Sequence, residues 1–325
     1  MKKLLAFPAV LLLLAAVVFV GGVFWWKDAT GAPSTPPPEE RFLITRGASA
    51  QQIANNLENA GIIKSALSFK LYTQSHGVAS SIPPGQFVFS GSQDLAGVVE
   101  TLLKGPTELW TTVPEGLRRE QVPELFIASL GLTEEEAAVF REEFLDESRG
   151  REGYLFPDTY LFPPDTSGAR VATVMQQTFD QRFPGATDKV VILASLIERE
   201  SRKDSERPTV AGILQKRLDA GWALNVDATV QYAIATENCG LNVENCDNWW
   251  PTISRADYEH ESPYNTYQFS GLPPTPIANP GLSSLEAAAS PETSPYWYYI
   301  HDAGGTIHYA ETLEEHNGNV AQYLR

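Results

Sequence analysis

The chain opens on an uncharged run, Leu4 to Trp26, broken only by Pro8 near its start. As a helix rising 1.5 Å per residue it would reach roughly 35 Å, enough to cross a hydrocarbon core with slight tilt. Trp25 and Trp26 close the run where an aromatic belt would sit, and Lys27 follows at the interface. Lys2 and Lys3 precede it, and Asp28, Glu39 and Glu40 make the far flank acidic. The pattern predicts a single-pass anchor at 4–26 in the cytoplasmic (inner) membrane, with a cytoplasmic tip at 1–3 and the bulk of the chain outside. A cleaved signal peptide is the competing reading, but its apolar core is normally about 7–15 residues with small residues at the cut. Here the run is longer and ends in Val23-Phe24-Trp25-Trp26, with no nearby cysteine to carry a lipid. The uncleaved anchor is favoured. Residues 27–40 (KDATGAPSTPPPEE) read as a Pro-rich, extended linker.

Beyond the linker the periodicity changes. Arg41–Thr45 reads as a strand, and Ser49 with Gln52 has the spacing of a capping box. The helix it opens carries Ile53, Ala54 and Leu57 on one stripe and ends at Gly61. A second helix starts at Ser65 and stops before Gly77, Gln86–Ser90 alternates as a strand, and a further helix lies near Asp94–Leu103. This strand–helix–helix–strand order over 41–105 resembles the LysM-type carbohydrate-binding module, which binds N-acetylglucosamine polymers. A connecting region, 106–160, follows with a strand at Leu109–Val113, the turn Pro114-Glu115-Gly116, and a helix capped by Thr133. Its acidic first turn is accounted for by the helix dipole. Gly153–Thr166 interleaves aromatic residues with prolines; it could line a sugar-binding cleft or pack as a core loop, and both readings stand.

The segment Lys189–Lys203 (KVVILASLIERESRK) is apolar on all sides from Val190 to Ile197 and then runs into Glu198 and Glu200. A buried helix that ends by delivering carboxylates is unusual, because Glu is seldom buried without a partner. Residues two apart on a helix are turned about 200° from each other. Glu200 continues the stripe Leu193–Leu196–Ile197 and is the candidate for desolvation, hence for a raised pKa and a general-acid role. Glu198 continues Val191–Ala194–Ser195 and has Arg202 at i+4 as an ordinary salt-bridge partner. The competing reading is that both acids solubilise a helix end.

Composition narrows the field. A net charge of −16 argues against a nucleic-acid partner. The only two cysteines, Cys239 and Cys246, lie in one loop-like segment and read as a local disulfide. His301 and His308 flank a hairpin turn at Asp302–Gly305, and His316 follows near a helix start; these spacings do not match compact metal-ligand patterns. No metal and no cofactor are expected.

Several blocks then point to one family. ASLIERES (Ala194–Ser201) resembles the active-site helix of the MltG/YceG-like endolytic murein transglycosylases. NVDATVQYA (Asn225–Ala233) and SPYNTYQFSGLPPTPIANPG (Ser262–Gly281) resemble further family segments. So do VPEGLRREQV (Val113–Val122), EGYLFPDTY (Glu152–Tyr160) and HYAETLEEHN (His308–Asn317). The resemblance implies an α+β protein: an N-terminal transmembrane helix, a small LysM-like α+β subdomain (41–105), and a larger mixed α+β catalytic domain (161–325). It implies cleavage of the MurNAc-β-1,4-GlcNAc bond of peptidoglycan glycan strands with formation of 1,6-anhydro-MurNAc ends, terminating or trimming nascent strands beside the wall-synthesis machinery. The family's catalytic glutamate falls on Glu200, with Glu198 as the alternative two residues away.

Tyr264, Asn265, Thr266 and Tyr267 are candidates for holding the N-acetyl group or the developing charge. Asp227 is read as an orienter of the site or as a helix N-cap, the cap being preferred. Ala228 replaces the family's usual Pro, and the loop with Cys239, Cys246 and Trp249–Trp250 is longer than the family pattern, either a rim of the cleft or an insertion. Two other functions stay in view: a muramidase in which Asp227 or another acid activates water, and a non-catalytic LysM-type wall-binding scaffold.

Overall fold

The structure is a computed structural model that describes residues 6–35, 39–45, 47–90, 92–240, 246 and 248–324; in residues 6–12, 39 and 90 it describes the backbone alone. It is mixed α+β, with twelve α-helices and three two-stranded sheets among the described residues. The chain divides into two compact units, Met1–Trp110 with Leu161–Pro164, and Thr111–Tyr160 with Asp165–Arg325.

In the first unit α1 (Ala6–Ala29) precedes β1 (Glu39–Ile44), α2 (Ala50–Asn59), α3 (Ala66–Ser75), β2 (Gly85–Ser90) and α4 (Leu95–Lys104). β1 and β2 pair antiparallel, Glu39 opposite Ser90 through Ile44 opposite Gly85. Local chemistry sets the helix starts. Ser49 and Gln52 form the capping box of α2, Ser65 caps α3, and Asp94 caps α4. Phe42, Leu57, Phe69, Phe87 and Leu102 meet in one buried cluster.

The N-terminal expectations change in two respects. Among the described residues no helix is long and apolar enough to cross a membrane, so the fold gives the expected span at 4–26 no support. The tip at 1–3, residues 4 and 5, and the side chains of 6–12 lie outside the described residues. Nor does a linker begin at Lys27. α1 continues to Ala29, Lys64 pairs with Asp28 at 2.9 Å, and Ser68 Oγ donates to the Ala29 carbonyl. Within the linker, 36–38 also lie outside the described residues.

The second unit begins within β3 (Leu109–Thr112), which pairs with β4 (Thr159–Phe162). The predicted connecting region is thus not separate. From Thr111 to Tyr160 it belongs to this unit and supplies α5 (Val122–Leu130) and α6 (Glu134–Glu147), which packs on α7 (Gly168–Arg182). Leu155, Phe156 and Tyr160 are buried, so that part of the aromatic–proline segment is core.

At the centre lies α8 (Asp188–Glu200). Thr187 caps it, and every residue from Val191 to Ile197 is buried. α9 (Arg207–Asp219), α10 (Asp227–Cys239) and α11 (Leu282–Ala289) pack around it. The hairpin of β5 (Tyr298–His301) and β6 (Ile307–Ala310) then leads into α12 (Leu313–Tyr323).

One glycine is decisive for the seat of α8. Gly153 has φ +86, and a Cβ there would lie 2.5 Å from Pro276 Cβ and 2.9 Å from Val191 Cγ1. Gly153→Ala combines backbone strain with overpacking and is expected to destabilise the protein by about 2 kcal/mol or more. Denaturant unfolding of the full chain checks this; an unchanged midpoint would show that the contact is not constraining.

Candidate active site

α8 ends at Glu200 because Ser201 turns extended, φ −102 and ψ 133. Its two terminal carboxylates have separate fates. Glu198 Oε1 accepts from Arg207 Nη2 at 2.8 Å, and its Oε2 accepts from Gly281 N at 3.0 Å and Ser284 Oγ at 2.8 Å. Its side chain is 6% exposed and Arg207's 7%. Arg207 also pairs with Glu115 and Asp204. The expected partner Arg202 is not used: the helix stops before Arg202, so the i+4 geometry never forms. Glu198 is a structural charge with its lone pairs committed.

Glu200 opens on a cavity of about 610 Å³ whose walls include Arg217, Trp222, Asp227, Tyr267 and Tyr299. The Tyr299 hydroxyl donates to Glu200 Oε2 at 2.7 Å. Burial pushes the Glu200 pKa up to about 7, and Asp227 adds to the rise, while the Tyr299 hydrogen bond and the Arg217 and Arg199 charges oppose it. A carboxyl so poised is half protonated near neutrality, able both to give a proton and to take one back.

The other predicted residues separate. Tyr267 reaches this cavity and donates to Asp227 Oδ1 at 2.6 Å. Asp227 is not a cap: Val226 occupies the N-cap of α10, and Asp227 is the first helical residue with its carboxylate held by Tyr267. Asn265 is fully buried, its amide donating to the Tyr258 and His260 carbonyls. Thr266 is 2% exposed, its hydroxyl accepting from Val226 N. Both position the loop and neither lines the cavity. Tyr264 lines a different cavity. Cys239 and Cys246 are joined in a disulfide. The tryptophans after it stack on arginines, Trp249 on Arg118 at 4.6 Å and Trp250 on Arg199 at 3.8 Å, rather than on the cavity. Among the described residues no group of three or more His, Cys, Asp or Glu is placed to hold a metal ion.

With this geometry in hand, comparison with known proteins is specific. The YceG-like family profile matches residues 42–322. The chain belongs to the YceG-like family. An endolytic murein transglycosylase of Bacillus subtilis (strain 168) is 29% identical over 314 residues, covering 86% of this chain and 84% of the relative. One of Streptococcus pneumoniae (serotype 2, strain D39) is 25% identical over 86% of this chain, which spans only 58% of that longer relative. A crystal structure of a YceG-like protein from Listeria monocytogenes matches with a TM-score of 0.59 at 26% identity, over 86% of this chain and 98% of that one.

In this YceG-like chain, much of the cavity wall comes from residues the sequence did not mark. Tyr299 and Tyr298 come from β5, Arg217 from α9, and Leu313, His316 and Val320 from one face of α12. Arg217 is fixed by donating to the Leu224 and Trp297 carbonyls. His316 stacks on Tyr298 at 5.1 Å, and burial with the Arg217 charge pulls its pKa down. The histidines carried a faint signal, since His316 falls three residues after Leu313 on the same helical stripe.

The two glutamates predict opposite responses to amidation. Glu200 has a raised folded pKa, so the stability from its protonated form is present below about pH 4.5 and lost as pH rises through about 7. Glu200→Gln is expected to unfold at a higher temperature than the wild type at pH 8, the difference vanishing near pH 4.5. Glu198→Gln weakens the Arg207 pair and is expected to cost about 2 kcal/mol or more at pH 8. Melting curves across pH test both; a destabilised Glu200→Gln at pH 8 would refute the assignment of strain to that carboxyl.

Proposed function

We propose that this chain is an endolytic murein transglycosylase that cleaves the MurNAc-β-1,4-GlcNAc bond within glycan strands and leaves 1,6-anhydro-MurNAc ends. The observation that carries this reading is Glu200, a carboxyl in a polar and aromatic cavity with a pKa of about 7. The similarity to endolytic murein transglycosylases over most of the chain supports it.

In this reading Glu200 gives its proton to the glycosidic oxygen as the bond from muramic acid C1 breaks. The sugar's own C6 hydroxyl then closes on C1, and its proton returns to the Glu200 carboxylate. One residue serves both steps, whereas ordinary glycosidases use a pair, and the attacking group is already part of the substrate. Tyr299 holds the carboxyl by its hydrogen bond. Trp222 and Tyr298 offer apolar faces to sugar rings, and Tyr267 on Asp227 offers a fixed polar edge to the opposite side.

The localisation reading is a single-pass anchor in the cytoplasmic membrane, with the catalytic unit outside it and beside the machinery that builds the strands. The uncharged run Leu4–Trp26 supports it, as do the exposed apolar side chains of Val17, Val18, Phe19 and Phe24 on α1. The strand–helix–helix–strand module of the first unit is read as a LysM-like glycan-binding element on its element order.

Product analysis tests the reaction. Digested wall polymer should yield anhydro-muramic ends, and reducing ends instead would establish a hydrolase. kcat/KM is expected to fall about tenfold per pH unit above about pH 7, as the required proton leaves Glu200. Glu200→Gln should lower turnover at least about a hundredfold while the protein still folds.

A further inference from the structure

A second cavity, of about 330 Å³, lies in the same unit and is used by no step above. Its walls include Glu120, Glu152 and Asp188 against the single guanidinium of Arg119, with the rings of Tyr154, Tyr232 and Tyr264. Glu120 and Glu152 are 6% and 7% exposed. Glu152 is held in place by Arg119 N at 3.0 Å and by the Asn279 amide at 3.0 Å, both on Oε1; among the described residues its Oε2 receives only Arg119 N, at 3.2 Å. Glu120 is held loosely, 3.4 Å from Arg118 Nε and 3.5 Å from Arg119 Nη2.

Tyr232 supplies the independent observation. It is 7% exposed, its ring packs under the Arg118 guanidinium at 4.0 Å and beside Tyr264 at 4.8 Å, and it lines this cavity. Among the described residues no group hydrogen-bonds to its hydroxyl. Tyr154 and Tyr264, by contrast, are committed to Asp188 at 2.6 Å and Thr275 at 2.7 Å. The side chain is thus nearly buried while its hydroxyl, with no protein partner among the described residues, opens on the cavity and is available to a ligand placed there.

We propose that this second cavity is a binding site for a primary ammonium group carried on a peptide. Three carboxyl groups and one guanidinium line its walls, and Glu120 opposes the ionisation of Glu152 even with Arg118 and Arg119 beside them, so an added cation favours both carboxylates. Arg118 already covers the Tyr232 ring, which leaves Tyr154 and Tyr264 to offer aromatic surface to a positive charge, and the Tyr232 hydroxyl and Glu152 Oε2 retain capacity to accept from an ammonium group. Burial and then the Glu120 charge push the Glu152 pKa up to about 8 against the pull of Arg118 and Arg119, so a cation bound beside it would favour the carboxylate.

Resting on the murein reading, the source of that amine is the peptide branch of muramic acid, whose diamino acid carries a free primary amine. The spacing agrees. Ile192 lines this cavity and Glu200 the other, eight residues apart on α8 and so about 12 Å along its axis. Three extended peptide residues reach about 10 Å, and the lactyl link to the sugar with the side chain that carries the amine extends that reach past the axial separation. The cavity would then give the enzyme a preference for strands that still bear peptides.

The test compares three forms of uncrosslinked, peptide-bearing murein strands: free amine, N-acetylated, and N-dimethylated, the last keeping the charge while adding bulk. With the full-length wild type, acetylation is expected to lower kcat/KM for anhydro-ended products about tenfold, chiefly through KM, and dimethylation to leave it near the free-amine value. The discrimination should shrink in Tyr232→Phe, which keeps the ring under Arg118, and in Glu120→Gln. Equal kcat/KM for free and acetylated strands overturns the proposal. If no form yields anhydro ends, the reaction reading fails instead. Calorimetric titration of the Glu200→Gln chain with a lysine-bearing tripeptide and its ε-acetylated form then decides the cavity alone: preference for the free amine upholds it, and no preference rejects it.

Discussion

The pairing of Glu198 with Arg207 is the interaction on which the site depends. A helix buried along its length cannot end in two uncompensated carboxylates, since each would carry a desolvation cost of several kcal/mol. Arg207 neutralises one of them, and Gly281 and Ser284 fill its remaining lone pairs. Because Arg207 also meets Glu115, the same contact joins the turn at Pro114–Gly116 to α8, α9 and the start of α11. Glu200 is left as the one acid at this helix end without a cationic partner at bonding distance, held instead by a phenol. Burial raises its pKa, and the Tyr299 hydrogen bond offsets the rise only in part.

A second buried side chain ties the blocks that mark the family. Asn279 accepts from the amides of Gly153 and Leu155 and donates to the Leu117 carbonyl and to Glu152. One amide therefore fastens the segments 113–122, 152–160 and 262–281 to each other. These blocks are far apart in sequence because each supplies one wall of a single polar knot. α8, α10 and the Tyr264–Tyr267 segment each present residues to both cavities of the unit, so the geometry of one constrains the other.

What could be read from the sequence was what local physics controls. The capping box at Ser49 and the threonine cap at Thr133 sit where the sequence placed them, and the strand–helix–helix–strand order was visible from short-range periodicity. The separation of Glu200 from Glu198 followed from helical rotation alone. Two readings went astray: that α8 continues far enough to bring Arg202 beside Glu198, and that Asp227 caps α10. Arg202 lies beyond the last turn of α8, and the start of α10 is secured by the Thr266 hydroxyl on Val226 N, which leaves Asp227 free for Tyr267. Tyr299, the hydrogen-bond partner of Glu200, and His316, which shares its cavity, were out of reach, because they belong to a hairpin and helix about a hundred residues downstream. No local pattern encodes that meeting.

The same distance has a consequence for biosynthesis. The burial that alters the acidity of Glu200 is complete only once β5 has docked against the end of α8. While the ribosome is still adding the last quarter of the chain, that glutamate is an ordinary solvated carboxylate in a half-made wall. The chemistry of that carboxyl therefore waits on the folding of the C-terminal part of the polypeptide.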